Sequence, residues 1–141
     1  MALFVEVGMK TELYERSEQY EKIADEVIKE QQSLHWLLSL GVRIAYVESA
    51  KPKTNEGKAV LGECIKVEEV YQVFCPYDFI IVIYAPNTYH LTDEQKKILL
   101  HHELLHCDFN ETKKGTKFKV RPHDIEEFRE IIDNHGLDWA R

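Results

Sequence analysis

The sequence predicts an α+β fold, with helices packed by their apolar faces onto a small sheet. Three observations carry this reading. Residues 14–40 repeat apolar side chains at intervals of three and four. Residues 79–83 are continuously apolar, which suits a strand covered on both faces. Residues 91–108 join a helix-start signal to apolar positions around most of a helical circumference. With 141 residues, 44% hydrophobic and 30% charged, residues 1–141 are expected to form a single domain with one core, neither disordered nor membrane-spanning.

Residues 1–12 give only a weak strand-like start. The segment 14–40 is then expected to be one long helix, with Tyr20, Ile23, Ala24, Val27, Ile28, Leu34 and Leu38 turned inward and Gly41 as its left-handed cap. Residues 42–47 are rich in β-branched and aromatic side chains and read as a strand. Residues 52–57 are polar and turn-like. A second strand is expected within 58–66, weakened by Gly62, and a firmer one at 77–84, closed by Pro86 and Asn87.

The central helix is expected over 91–108. Thr92 and Gln95 have capping-box spacing, and Ile98, Leu99, Leu100, Leu104 and Leu105 call for burial. A turn and a short strand at 118–120 follow. The last helix is expected to start at Asp124, capped with Glu127, to bury Ile125, Phe128, Ile131 and Ile132, and to end near Asn134 and Gly136. Leu137 and Trp139 are expected to fold back on the core.

Charge and cysteine usage exclude several classes. The formal net charge of −7 is the wrong sign for a nucleic-acid binder, which gains most of its affinity by neutralising phosphates. The basic cluster Lys113, Lys114, Lys117, Lys119 and Arg121 reads as a solvated hairpin turning at Gly115. No apolar stretch is long enough to span a membrane and no secretory leader pattern is present, so a cytoplasmic location is expected. Cys64, Cys75 and Cys107 form no CxxC pair, so neither a zinc ribbon nor a disulfide framework is expected; Cys107 reads as a packed thiol.

The chemistry concentrates at His102-Glu103-Leu104-Leu105-His106, a complete HExxH. Four residues is slightly more than one helical turn, so both imidazoles leave the same helix face and can meet one metal ion. Glu103 lies about 100° round from His102, where a carboxylate reaches a metal-activated water without being a ligand. Two histidines and a glutamate on one patch of a helix that is apolar on most sides are costly unless paired. His101 points elsewhere; it could anchor a contact that supports a ligand, but a position at the rim of the site is the favoured expectation. A third ligand is needed, and the candidates are His123, His135, Asp108, Glu126 and Glu127. His123 is the best placed, because it directly precedes a capped helix.

Residues 78–83 (Asp-Phe-Ile-Ile-Val-Ile), the 102–106 motif, residues 121–128 (Arg-Pro-His-Asp-Ile-Glu-Glu-Phe) and residues 136–139 (Gly-Leu-Asp-Trp) together resemble the phage metallopeptidase domain, found in phages and in bacterial genomes. The resemblance covers residues 10–139; the SprT-like metallopeptidases are similar at a greater distance. It implies a zincin-like α+β fold in which a small twisted mixed sheet packs against a long N-terminal helix and a central metal-bearing HExxH helix, with a C-terminal helix after them. It further implies Zn2+ held by His102, His106 and His123, with Glu103 as the catalytic carboxylate, the general base.

The expected function is therefore that of a zinc-dependent metallopeptidase acting on a peptide or protein, with no nucleic-acid or membrane partner. The strand at 78–84, or a neighbour at the sheet edge, is the expected place for an extended substrate. Tyr77, Tyr84 and Tyr89 are candidate oxyanion donors, with packing the favoured role for each. The alternatives are a metal-dependent hydrolase of another class, such as an amidase or nuclease, and a non-enzymatic zinc-stabilised protein-binding module.

Overall fold

Ser17 decides how the chain begins. A computed structural model describes residues 10–123, 129–136 and 139. In it the Ser17 hydroxyl oxygen accepts the Tyr20 N–H at 3.1 Å and starts helix α1 (Glu18–Glu30). Tyr14–Arg16, expected to be helical, is instead strand β1. The single long helix is corrected a second time at Gln31, which takes extended dihedrals and ends α1. A 3-10 turn (Gln32–Leu34) and the short helix α2 (Trp36–Ser39) complete the segment. Leu34 and Leu37 remain buried, whereas Leu38, expected inside, is largely exposed. Gly41 closes the segment at φ 62°, as expected.

Strand β2 (Ile44–Ser49), a small hairpin of β3 (Thr54–Asn55) and β4 (Lys58–Ala59), and strand β5 (Gly62–Lys66) follow. After a 3-10 segment (Glu69–Val73) come β6 (Phe79–Tyr84), the short helix α3 (Ala85–Thr88), helix α4 (Asp93–Leu105), strands β7 (Cys107–Thr112) and β8 (Gly115–Val120), and helix α5 (Arg129–His135).

The main sheet has the order β1-β2-β6-β5. β2 and β6 run parallel, from Ile44 opposite Phe79 to Ser49 opposite Tyr84, while β1 and β5 are antiparallel to their neighbours. The continuously apolar β6 thus occupies an interior position, the burial its composition demands. Phe79, Ile81 and Ile83 share one core cluster with Leu99, Leu100 and Leu104 of α4, all almost fully buried. Each such side chain stabilises the fold by roughly 1.5–3 kcal/mol relative to exposure. α4 is flanked by α1 and β5, so it runs through the domain. β7 and β8 form a separate hairpin whose Phe118 ring packs 5.7 Å from Phe79.

The observed class is α+β with a mixed sheet and several helices. The expectation of a zincin-like fold with one central metal-bearing HExxH helix is overturned. α4 ends at Leu105, leaving His106 as the residue after the helix, and His123 comes from the segment beyond β8. The physical reason is local. His106 N–H bonds back to the Glu103 carbonyl at 3.1 Å, a tightened last turn, and the chain enters β7 at the next residue. No helix among the described residues is long and apolar enough to cross a membrane. The expected start of the last helix at Asp124, its pairing with Glu127, and the burial of Ile125, Phe128, Ile132 and Leu137 lie outside the described residues, as do residues 1–9 of the expected strand-like start.

Candidate metal centre

The capping box predicted at Thr92 fixes where α4 begins. Thr92 Oγ1 accepts the Gln95 N–H at 3.2 Å, and Gln95 Oε1 accepts the Thr92 N–H at 2.8 Å. Counting from that start, the helical period buries Leu100, His101, Glu103 and Leu104 and leaves His102 partly accessible on the last turn. The β7–β8 hairpin then returns the chain. Cys107 pairs with Val120, so Arg121 arrives beside His106 and His123 follows two residues later.

The imidazoles of His102, His106 and His123 converge there. One nitrogen from each lies within 4.8 Å of the others. Nε2 of His102 and Nε2 of His123 are 2.9 Å apart, and the ring centroids are separated by 5.2 Å (102–106), 4.8 Å (102–123) and 4.5 Å (106–123). With the nitrogens spread between 2.9 Å and at most 4.8 Å, small adjustments of the three rings would let all of them reach one ion.

The protonation chemistry fits as well. The Arg121 carbonyl, 2.6 Å from His106 Nδ1, can only accept, so Nδ1 carries the proton and Nε2 is left as the lone-pair donor. The Arg121 N–H returns a bond to the His106 carbonyl at 2.7 Å. Burial pushes the His106 imidazolium down to about 4; His102, His123 and Arg121 repel charge in the same direction, and the hydrogen bond to the Arg121 carbonyl opposes them. At neutral pH His106 is therefore uncharged, the form that binds a cation. The cluster is capable of holding a metal ion such as Zn2+.

Glu103 is buried beside this cluster, with Oε2 3.9 Å from His102 Nε2. Strand β5 covers it. A Cβ built on Gly62 would stand 3.3 Å from Glu103 Oε2 and 3.1 Å from both Ile83 Cδ1 and the Val82 carbonyl oxygen. The glycine that weakens β5 as a strand is what lets the carboxylate lie directly beneath it.

The other candidates are placed elsewhere. Asp108 accepts the Phe109 N–H at 2.8 Å and lies 3.8 Å from Lys119 Nζ. His135 stands 3.3 Å from His101, and Glu126 and Glu127 are outside the described residues. His101 itself corrects the expectation of a rim position, for it is among the most buried residues of the chain. It bonds Glu130 through Nε2, and Glu130 also accepts the Ser33 hydroxyl at 2.9 Å, so the pair ties α4 to α5 and to the turn after α1. The sequence did carry a signal for this. Residue 101 follows Ile98 by three and precedes Leu105 by four, which puts it on the apolar stripe.

The three tyrosines are engaged away from the cluster or exposed. Tyr84 donates to Glu63 at 3.1 Å, Tyr77 accepts from Arg16 at 2.8 Å, and Tyr89 is solvent-exposed. A groove of about 890 Å³ is lined by Lys66, Glu68, Gln72, Asp78, Lys114 and Phe118 among others, and by none of the histidines. Two of its acids are matched, Asp78 with Arg43 and Gln72, and Glu68 with Lys66.

No curated protein and no solved structure matches the chain. The family profile described as Putative phage metallopeptidase matches residues 12–141, which include the three histidines, Glu103 and Gly62. Since that match covers nearly the whole chain, the protein belongs to the phage metallopeptidase family.

Proposed function

We propose that this domain is a zinc-dependent metallopeptidase in which His102, His106 and His123 hold the metal and Glu103 is the general base. The observation that carries the reading is the buried Glu103 carboxylate set 3.9 Å from one of three convergent imidazoles. A metal that only stapled the fold would need no such neighbour. Zinc held by these imidazoles supplies Lewis-acid activation of a water and of the scissile carbonyl.

The protein's own residues do the rest. Glu103 Oε2 accepts the proton of the attacking water and passes it to the leaving amine nitrogen. The Arg121 carbonyl keeps His106 in the Nδ1–H tautomer throughout. Strand β5, rather than the interior β6, is the place for an extended substrate, because it ends the sheet order among the described residues. Tyr84 N–H bonds the Leu61 carbonyl at 3.0 Å, so alternation turns the N–H and C=O of Gly62 outward, next to Glu103. A peptide paired to that edge has its backbone presented to the carboxylate.

Glu103→Gln tests the reading. It keeps size and hydrogen bonding but removes the base, so the variant is expected to bind one zinc per chain while losing hydrolysis of an unfolded-protein substrate by at least about 100-fold. Full activity in the variant would sink the mechanism, and so would a zinc-loaded parent protein that cleaves no member of a broad peptide library.

A further inference from the structure

Cys64 and Cys107 are 43 residues apart in the chain and lie in different sheets, yet their sulfurs are in contact at 3.7 Å. Cys64 is on β5, one alternation beyond Gly62, and is partly exposed; Cys107 is buried and directly follows His106. The third thiol, Cys75, sits in the loop before β6, where its N–H bonds the Tyr71 carbonyl at 2.8 Å, and it makes no sulfur contact among the described residues. Neither Cys64 nor Cys107 has a part in the hydrolysis proposed above. Two thiols in van der Waals contact, one accessible and one protected, are the arrangement from which a disulfide forms by local movement alone. Closing the contact to the bond length of a disulfide requires an approach of about 1.7 Å.

We propose that Cys64 and Cys107 are an oxidisable dithiol, converted by a peroxide into an intrachain disulfide that ties the edge strand β5 to the chain leaving His106. Cys64, the accessible thiol, attacks one peroxide oxygen as its thiolate. The O–O bond breaks, the departing oxygen leaves as hydroxide and is protonated to water, and Cys64 becomes a sulfenic acid. The Cys107 sulfur then attacks the Cys64 sulfur. The S–O bond breaks, and the hydroxide released takes up the Cys107 proton as a second water. Two thiols and hydrogen peroxide thus give one disulfide and two waters, each sulfur losing one electron and the peroxide gaining two.

The bond would act where it matters for the site. It would hold β5 against the end of α4 at the point where Gly62 covers Glu103. It would also fix the residue after His106, whose ring orientation depends on the Arg121 backbone.

The experiment is intact-mass and peptide mapping of the full chain after treatment with a slight excess of hydrogen peroxide, in zinc-free and zinc-loaded protein. The expected result in both is a loss of about 2 Da, reversed by a thiol reductant, with the peptides of Cys64 and Cys107 joined. Cys75→Ser should leave this unchanged and Cys64→Ser should abolish it; Cys64 is chosen because its partial exposure makes the substitution tolerable, with circular dichroism reporting the fold. A linkage that includes Cys75, a dimer, or oxygen adducts on Cys64 with no loss of 2 Da would overturn the proposal. The readout is a mass, so it stands or falls independently of whether the domain cleaves peptides.

Discussion

His106 and Arg121 are joined twice: the ring Nδ1–H of His106 donates to the Arg121 carbonyl at 2.6 Å, and the Arg121 N–H donates to the His106 carbonyl at 2.7 Å. Both bonds use the Arg121 backbone, so the site depends on where residue 121 lies more than on its side chain. Arg121→Ala is expected to keep zinc affinity within about threefold, whereas Arg121→Pro, which lacks the N–H, should weaken it by roughly 10–100-fold. Competition against a chromophoric chelator measures both. Equal losses in the two variants would show that the side chain carries the effect.

The third histidine is the clearest test of how the site is assembled. His123 faces His102 at 2.9 Å, whereas His135 is bound up with His101. His123→Ala should weaken zinc binding by at least about 100-fold, beyond what loss of an outer-shell partner costs, and His135→Ala should change it by less than about threefold. The reverse order in a zinc titration would place the metal at the other pair.

Gly62 predicts a separation of binding from turnover. In Gly62→Val the new side chain must displace Glu103 Oε2, Ile83 Cδ1 or the Val82 carbonyl. Zinc affinity is expected to hold within about threefold, while hydrolysis falls by roughly 10–100-fold because the carboxylate is moved from its position. Overpacking at this point should also lower stability by about 1–3 kcal/mol. A Gly62→Val protein with undiminished turnover would mean that the closeness of β5 and Glu103 has no catalytic meaning.

The metal-free protein should lose stability on acidification. His106 is held near 4 in the folded state, mainly by burial, against an ordinary value of 6.5. Between those values the unfolded chain takes up a proton that the folded chain does not. The contribution is therefore complete above pH 6.5 and lost as pH falls toward 4. Discounted for the partial exposure of the ring, it amounts to on the order of 1–2 kcal/mol. Urea denaturation with chelator present, at pH 7 and pH 4.5, should show this drop, and His106→Gln should show a smaller one. An unchanged pH dependence in His106→Gln would remove His106 as its source.

Much of this molecule was readable in the sequence, and the reasons are local. Thr92 and Gln95 specify a helix start through atoms three residues apart. Phe79 to Ile83 specify a strand interior to a sheet because a run without polar positions must be covered on both faces. The spacing of His102 and His106 puts two imidazoles on one side of a single turn, wherever that turn ends. What the sequence could not decide depends on partners distant in the chain. Tyr14–Arg16 became a strand because residues 47–49 offered backbone bonds, and helical periodicity is blind to that. His101 is buried because Glu130 and His135 receive it, and the site is shared between a helix end and a returning loop because β8 brings Arg121 against His106. Local hydrogen bonds and periodicity thus set the elements, whereas the position of the third histidine and the closeness of Gly62 to Glu103 were settled only when the hairpin and the sheet packed against α4.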